Sequence, residues 1–303
     1  MEPLLSIVTI TYNHEPYIQK CIEGVLMQQV NFPIEFIIAE DCSTDGTLAI
    51  CKEYAEKYPD LIQLITSDNN VGAIANERRA MKAAKGKYIA FCEGDDYWTD
   101  SLKLQKQVDF MESNPEYSVC FHRFIKNDIY SKQEIKDTCG YKLNEDTIGV
   151  DINIESFFNR WKTQPLTMVI RKCNLNIDLS YNYKFFCDTI QIYHLLKKGK
   201  GFLFFFYGGV YNLTHQGDFT SKTEIEMMEG INRVHSELLE KTNDSEVKKA
   251  YLKGLQFYLD LRCQKRTNNF KEKFTLLKVA FILFIRSFNS FKLLKNLRLI
   301  FFK

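Results

Sequence analysis

The chain has 303 residues, 45% of them hydrophobic and 26% charged, a balance that supports a sizeable core and excludes a disordered or fibrous protein. Its formal charge of +2 hides an asymmetry: residues 265–303 carry ten Lys and Arg against one acid, a balance of +9, which leaves −7 over residues 1–264. Nine scattered cysteines without a C-x-x-C pair exclude a disulfide framework or a cysteine zinc site, and predict reduced thiols in a cytosolic setting.

The first hundred residues alternate strand and helix signals. Leu4–Thr11 reads as a β-branched strand and Glu15–Gln29 as a helix, then Ile34–Glu40 as a buried strand and Thr47–Tyr58 as a helix stopped by Pro59. Leu61–Thr66 is a third strand, Ala73–Ala84 a helix ended by Gly86, and Lys87–Cys92 a fourth strand. Strands separated by helices of this length predict parallel βαβ units and a doubly wound sheet. Ligands bind such sheets beyond the carboxyl ends of the strands. Each strand end here is polar: Thr11-Tyr12-Asn13, Glu40-Asp41 and Glu93-Gly94-Asp95-Asp96.

Further on, Ser101–Met111 reads as a helix, Tyr117–Phe124 as a strand, and residues 125–150 as a hairpin or loop insert. Leu166–Arg171 is a predicted strand and Thr189–Lys198 a helix. Phe202–Leu213 is one or two strands interrupted at Gly208-Gly209, and everything from Glu224 reads helical. The N-terminus has no basic n-region and no signal peptide is expected. The longest apolar run near the C-terminus, Val279 to Ile285, is too short to span a bilayer.

Glu93-Gly94-Asp95-Asp96-Tyr97-Trp98 sets three acids in four positions after a buried strand. Crowded carboxylates repel one another and call for a cation, and their hard oxygens suit Mg²⁺ or Mn²⁺. A solvated acidic turn is the alternative, which Tyr97 and Trp98 disfavour because such a turn has little use for two large aromatics; substrate stacking or an anchored loop suits them better. In Glu40 to Thr47, Thr44 or Asp45 is placed to cap the following helix and Gly46 eases the turn. Asp41 lies earlier, at the strand tip, where its carboxylate could accept a hydrogen bond from a base N–H.

Taken together and in order, these segments resemble the family 2 glycosyltransferases of the GT-A fold. The matching residues are Ser6-Ile7-Val8-Thr9-Ile10-Thr11-Tyr12-Asn13, Glu40 to Thr47, Asn70-Val71-Gly72, and Gly86-Lys87-Tyr88-Ile89-Ala90 running into Glu93-Gly94-Asp95-Asp96. The resemblance implies an α/β fold with a doubly wound, mostly parallel sheet flanked by helices and a helical C-terminal extension. Residues 1–221 would form the catalytic domain, with 1–100 as the donor half and 101–221 as the acceptor half, and 222–303 the basic helical region. It implies a nucleotide diphosphate sugar as donor, with Thr11 and Tyr12 near the nucleoside, Asp41 on a uracil ring, and Asp95 binding Mn²⁺ or Mg²⁺. Glu93 also falls in the donor site, with three alternatives for its longer side chain: the metal, the sugar, or neither. Glu40 and Glu93 stand where the family usually has aspartates, Cys42 where it has glycine and Ile10 where it has proline. Ala75-Asn76-Glu77-Arg78 departs from the family's A-R-N and takes no role.

In the acceptor half, Phe186-Cys187-Asp188-Thr189 resembles the family's late acidic motif, which makes Asp188 the general base of an inverting transfer. A simple helix cap is the competing role for Asp188, and Asp178 and Asp218 are the other candidate bases. Tyr211-Asn212-Leu213-Thr214-His215-Gln216-Gly217 resembles the family's Y-R-x-H-x-x-G segment, which makes His215 a metal ligand or diphosphate contact and puts Asn212 at the usual arginine. His14, His122, His194 and His235 take no role.

From Phe274 to Phe291 aromatic and aliphatic residues recur at spacings of three and four among Lys and Arg, the pattern of an interfacial helix on an anionic leaflet. The alternative for this tail is packing on the catalytic domain or on a second subunit, as a homodimer. Nucleic acid is not an expected partner, since the cations alternate with Phe, Leu and Ile. The expectation is therefore an inverting glycosyltransferase acting on a surface-glycan or lipid-linked acceptor, cytoplasmic and peripheral on the inner face of the membrane. Its rivals are a nucleotidyltransferase, which wants a glycine-rich basic loop where this chain has Tyr12-Asn13-His14-Glu15, and a catalytically degenerate donor-binding or scaffold protein.

Overall fold

A computed structural model describes residues 2–137, 147–160, 163–214, 222–264 and 279. The chain divides into two compact units, residues 1–214 and 215–303. The expected ligand His215, the alternative base Asp218 and nearly all of the basic tail lie outside the described residues.

The first unit is built on a sheet of β1 (Leu5–Thr11), β2 (Ile34–Glu40), β3 (Ile62–Ile65), β4 (Tyr88–Phe91), β5 (Tyr97–Trp98), β6 (Tyr117–Asp128), β7 (Gln133–Lys136), β8 (Gly149–Ile152), β9 (Val169–Arg171) and β10 (Lys200–Leu213). Its main path runs β3-β2-β1-β4-β9-β6-β10-β5, with β7 on β6 and β8 on β10. The first four paired strands are parallel, as the spacing of strand and helix signals predicts. β9 is antiparallel to both β4 and β6, so β6 and β10 point the same way as the first four. The reversal at β9, in the middle of the sheet, was not legible in the sequence. The segment expected as strand Leu166–Arg171 divides into a 3-10 turn at Pro165–Thr167 and the three residues of β9. Proline forces this, because it lacks the N–H that a central strand must donate.

Helices α1 (Ile18–Leu26), α2 (Thr47–Lys57) and α4 (Lys103–Ser113) pack on one face of the sheet; α3 (Ala73–Ala83), α5 (Ile154–Arg160) and α6 (Asp188–Leu196) pack on the other. The strand period of two makes this possible. Leu5, Ile7, Phe36 and Ile38 face the first layer, whereas Val8, Ile37 and Ala39 face the second. Each of these side chains is at most 2% exposed, and each contributes about 1.5–3 kcal/mol if it is Val, Leu, Ile or Phe. Between residues 125 and 150 the expected hairpin is present: β6 continues past Phe124 to Asp128 and returns as β7. Gly208-Gly209 does not divide β10; register shifts against β6 at Leu203/Tyr207 and Tyr207/Gly209 absorb it.

In the second unit α7 (Glu224–Thr242) begins with a capping box of Thr223 and Glu226 and ends at Asn243 in the left-handed region. It packs on α8 (Ser245–Gln264) through Ile225, Leu255 and Leu259. Among the described residues no helix is long and apolar enough to cross a membrane.

Phe36 is fully buried at the centre of the first layer. Phe36→Ala should cost about 3–5 kcal/mol, read as a fall in the urea midpoint at unchanged slope.

Candidate active site

Parallel pairing brings the ends of β1, β2 and β4 to one edge. Thr11 lies opposite Glu40, and beyond Val8↔Phe91 the ladder continues with the Gly94 N–H donating to the Ile10 carbonyl at 3.0 Å. The loops after β1 and β2 are then tied to each other. Asn13 Oδ1 accepts from Thr44 N at 2.8 Å, Asp45 accepts from Glu15 N and Thr47 N, and Gly46 N donates to Glu15 at 2.9 Å. Asp45 thus caps the start of α2 from one residue before the N-cap position, which is Gly46. The fully buried Glu40 accepts from Cys42 N and Ser43 N at 3.2 and 2.6 Å and folds the turn back on itself. Cys42 is held at φ 60°, a left-handed conformation that costs a non-glycine residue about 1–2 kcal/mol, which explains why the family favours glycine there.

Asp41 organises the neighbouring loop. Its Oδ1 accepts from Val71 N at 2.9 Å and Ser67 Oγ at 3.1 Å, and its Oδ2 accepts from Gly72 N at 2.9 Å. Gly72 sits at φ 84°, open only to glycine at low cost, and this turn starts α3. A carboxylate has about four lone-pair sites, so the buried Asp41, with three taken, keeps one unused. Strand alternation separates the two expected nucleoside residues: Tyr12 is 40% exposed, whereas Thr11 is 2% exposed with its Oγ1 unpartnered. Thr11 lies beneath the acidic tip, where a Cβ on Gly94 would come within 2.6 Å of its Oγ1.

The tip itself is braced from β10. After Asp96 the chain pairs antiparallel as β5, with Trp98 opposite Gly209 and Tyr97 opposite Val210. Beyond that pairing, Asn212 N donates to Asp96 Oδ1 at 2.9 Å and Asn212 Nδ2 donates to the Asp95 carbonyl at 2.6 Å, while Asn127 Nδ2 donates to Asn212 Oδ1 at 2.8 Å. Trp98 anchors the loop: it is 1% exposed and donates to the Leu166 carbonyl at 2.9 Å, with Lys103 Nζ 3.7 Å above its ring. Burial drives the Lys103 ammonium down to about 7. Of the two uses that Tyr97-Trp98 suggested, the structure supports the anchored loop for Trp98.

Asp95 is partly exposed, with His14 Nε2 4.0 Å from its Oδ2. His14, given no role on sequence grounds, is brought here by the turn after β1, a tertiary juxtaposition that no local pattern signals. Asp96 Oδ2 is buried without a partner, and burial followed by the charges of Asp95 and Glu93 raises the Asp96 carboxyl well above the usual range. Among the described residues no three His, Cys, Asp or Glu side chains are gathered to hold a metal ion. The donor set nonetheless fits a hard divalent cation that takes most of its ligands from diphosphate and water: oxygens alone, mutually repelling, one of them orphaned.

Glu93 turns the other way, into a narrow cleft that it lines together with Glu77 of α3 and with Asp188 and Gln191 of α6. Asp188 is the first residue of α6; the N-cap is Cys187, and the Asp188 carboxyl accepts from the adjacent Thr189 N at 2.8 Å and is further hydrogen-bonded by the Cys187 and Thr189 side chains. Burial raises Asp188, and burial with the charge of Asp188 pushes Glu77 up to about 7. The alternative base Asp178 is elsewhere, in an exposed ion pair with Lys82 at 3.1 Å. Sequence reasoning missed Glu77 and Gln191. One helical turn separates Glu77 from Gly72, but only the fold shows that α3 and α6 face each other across β4.

A carboxyl raised on folding holds its proton to higher pH in the folded state than in the unfolded chain, so stability falls as pH rises through that window. For Glu77 the window runs from 4.5 to about 7. Glu77→Gln should therefore stabilise the protein by about 1–3 kcal/mol at pH 8 and by much less at pH 4.5, measured by urea unfolding at both pH values.

Comparison with known proteins agrees with this geometry. An uncharacterised protein of Mycobacterium tuberculosis is 51% identical over 118 residues, 39% of this chain and 34% of that protein. The E. coli UDP-Glc:alpha-D-GlcNAc-diphosphoundecaprenol beta-1,3-glucosyltransferase WfaP is 35% identical over 127 residues, 41% of this chain and 48% of WfaP. The chain thus matches between about a third and a half of the length of these relatives. In fold it is similar to S. aureus TarS 1-349 in complex with UDP, with TM-score 0.62 and 15% identity over 99% of this chain and 90% of that one. It is also similar to the Pyrobaculum calidifontis mannosyltransferase PcManGT in complex with GDP-Man and Mn²⁺, with TM-score 0.60 and 13% identity over 100% and 88%. Residues 6–173, more than half of the chain, match the domain described as Glycosyl transferase family 2, and the chain belongs to that family.

Proposed function

We propose that the protein is an inverting glycosyltransferase that moves a sugar from a nucleotide diphosphate sugar, a uridine one, to a hydroxyl of a surface-glycan or lipid-linked acceptor. The observation that carries this reading is the placement of Asp188 and Glu93 on opposite elements of one cleft, beside the Asp95 tip. Tyr12 offers an exposed ring for the base, and Asp41 has one lone-pair site for a ring N–H while its other three fix the loop. The family supports a nucleotide-sugar donor, and the name of WfaP supports both the uridine nucleotide and a lipid diphosphate acceptor.

The reaction forms one bond and breaks one. The acceptor oxygen attacks the anomeric carbon from the face opposite the diphosphate, the bond from that carbon to the diphosphate oxygen breaks, and the acceptor proton passes to the Asp188 carboxylate. A carboxyl raised by burial is a better proton acceptor than an exposed one, which suits Asp188 to this task. Thr189 N and the side chains of Cys187 and Thr189 hold the carboxylate in place at the cleft. Asp95, supported through Asn212, would hold Mn²⁺ or Mg²⁺, which supplies positive charge against the departing diphosphate. His215 is the sequence candidate for a further ligand. The amphipathic basic tail, by its sequence, suits docking at an anionic membrane where a lipid-linked acceptor resides.

Asp188→Asn should lower transfer by about 10²–10⁴-fold while UDP affinity stays within twofold of wild type. The acid limb of the wild-type rate profile should lie above the ordinary carboxylate range, because Asp188 must be ionised to act and burial raises its pKa. Unchanged turnover in Asp188→Asn, measured with a panel of UDP-sugars and Mn²⁺, would remove the base assignment.

A further inference from the structure

The cleft between α3, β4 and α6 holds an uneven set of polar groups. Gln191 is 3% exposed, yet its Nε2 has no hydrogen-bond partner. Opposite it, the side chains of Glu77 and Glu93 make no hydrogen bond or ion pair among the described residues, although both line the same space. Two carboxyls lacking donors and one buried amide lacking an acceptor face a common ligand position. Ile10 and Met168 complete an apolar wall.

A sugar hydroxyl fits all of these demands, because it donates to a carboxyl and accepts from an amide with the same oxygen. Its C–H edges suit the apolar wall. A carboxylate or phosphate offers acceptors only and adds negative charge to a cleft already lined by Glu77, Glu93 and Asp188. An ammonium group would satisfy the acids but leave the Gln191 amide unpaired. The cleft is narrow, so it takes one edge of a ring rather than the whole of it.

We infer that this cleft receives the hydroxyl-bearing edge of an uncharged sugar, with Glu77 and Gln191 as the residues that select such a sugar over a sugar acid. The inference rests on the donor reading proposed above and narrows its substrate to neutral hexoses or N-acetylhexosamines, excluding hexuronates. Glu77 discriminates by accepting from a hydroxyl and, above about pH 7 where it is ionised, by charge; Gln191 discriminates by donating to a hydroxyl.

Calorimetric titration of the full chain in Mn²⁺ at about pH 8, above the Glu77 pKa of about 7, tests this, with UDP, UDP-glucose, UDP-galactose, UDP-N-acetylglucosamine and UDP-glucuronate as ligands. The best neutral sugar nucleotide should bind at least tenfold more tightly than UDP-glucuronate. Glu77→Gln should narrow that ratio at least threefold, and Gln191→Met should weaken the neutral sugar nucleotide at least fivefold. Both variants should keep wild-type affinity for UDP itself, and thermal melts confirm that each is folded. Equal affinity of the wild type for UDP-glucuronate overturns the inference, as do unchanged ratios and affinities in both variants, while UDP binding leaves the donor reading standing. Failure of UDP and every UDP-sugar to bind the wild type overturns the donor reading itself and this inference with it.

Discussion

Five carboxyl groups converge at the carboxyl edge of the parallel strands, and the rest of the structure is arranged around their mutual repulsion. Glu93, Asp95 and Asp96 come from the end of β4, Glu77 from α3 and Asp188 from α6. Among the described residues no lysine or arginine pairs with any of them; the His14 ring lies beside Asp95, its Nε2 4.0 Å from Oδ2. Burial makes each charge harder to keep, which is why Glu77, Glu93, Asp96 and Asp188 are all raised. A site that gathers acids without internal cations is unfavourable for the folded protein alone. The proposed ligands, a divalent ion and hydroxyl donors, would offset that cost.

The fold holds this unfavourable cluster in place by hydrogen bonds that each have a backbone group as donor or acceptor. Gly94 N continues the ladder to β1, β5 turns the chain against β10, and Asn212 clasps both Asp95 and Asp96. The family's arginine at that position would reach toward phosphate; the shorter asparagine here reaches the protein's own acidic tip. Asp41 does the same for the loop preceding α3, so that Gly72 starts the helix at the angle that brings Glu77 to the cleft. The donor-side loops and the acid cluster are thus one connected assembly.

Much of this was legible in the sequence where local pattern decides structure. The alternation of β1 to β4 with α1 to α3, the strand-end motifs and the Asp188 motif all have short-range signatures. The antiparallel β9 did not, because a three-residue strand after Pro165 carries too little periodicity to assign a direction. Glu77, Gln191 and His14 were missed for a related reason. Each is ordinary in its own segment and acquires chemistry only when distant elements meet. Glu93 was placed in the donor site from the motif alone, but its partners, Glu77 and Asp188, lie 16 and 95 residues away in the chain.

The most direct measurement is a crystal structure of the full chain with UDP and Mn²⁺, using the manganese anomalous signal to place the ion. A manganese peak on the Asp95 carboxylate, with the diphosphate beside it and the uracil N–H on Asp41, is the predicted result. A nucleotide bound away from the β4 tip, or a manganese ion that leaves Asp95 untouched, would contradict the account.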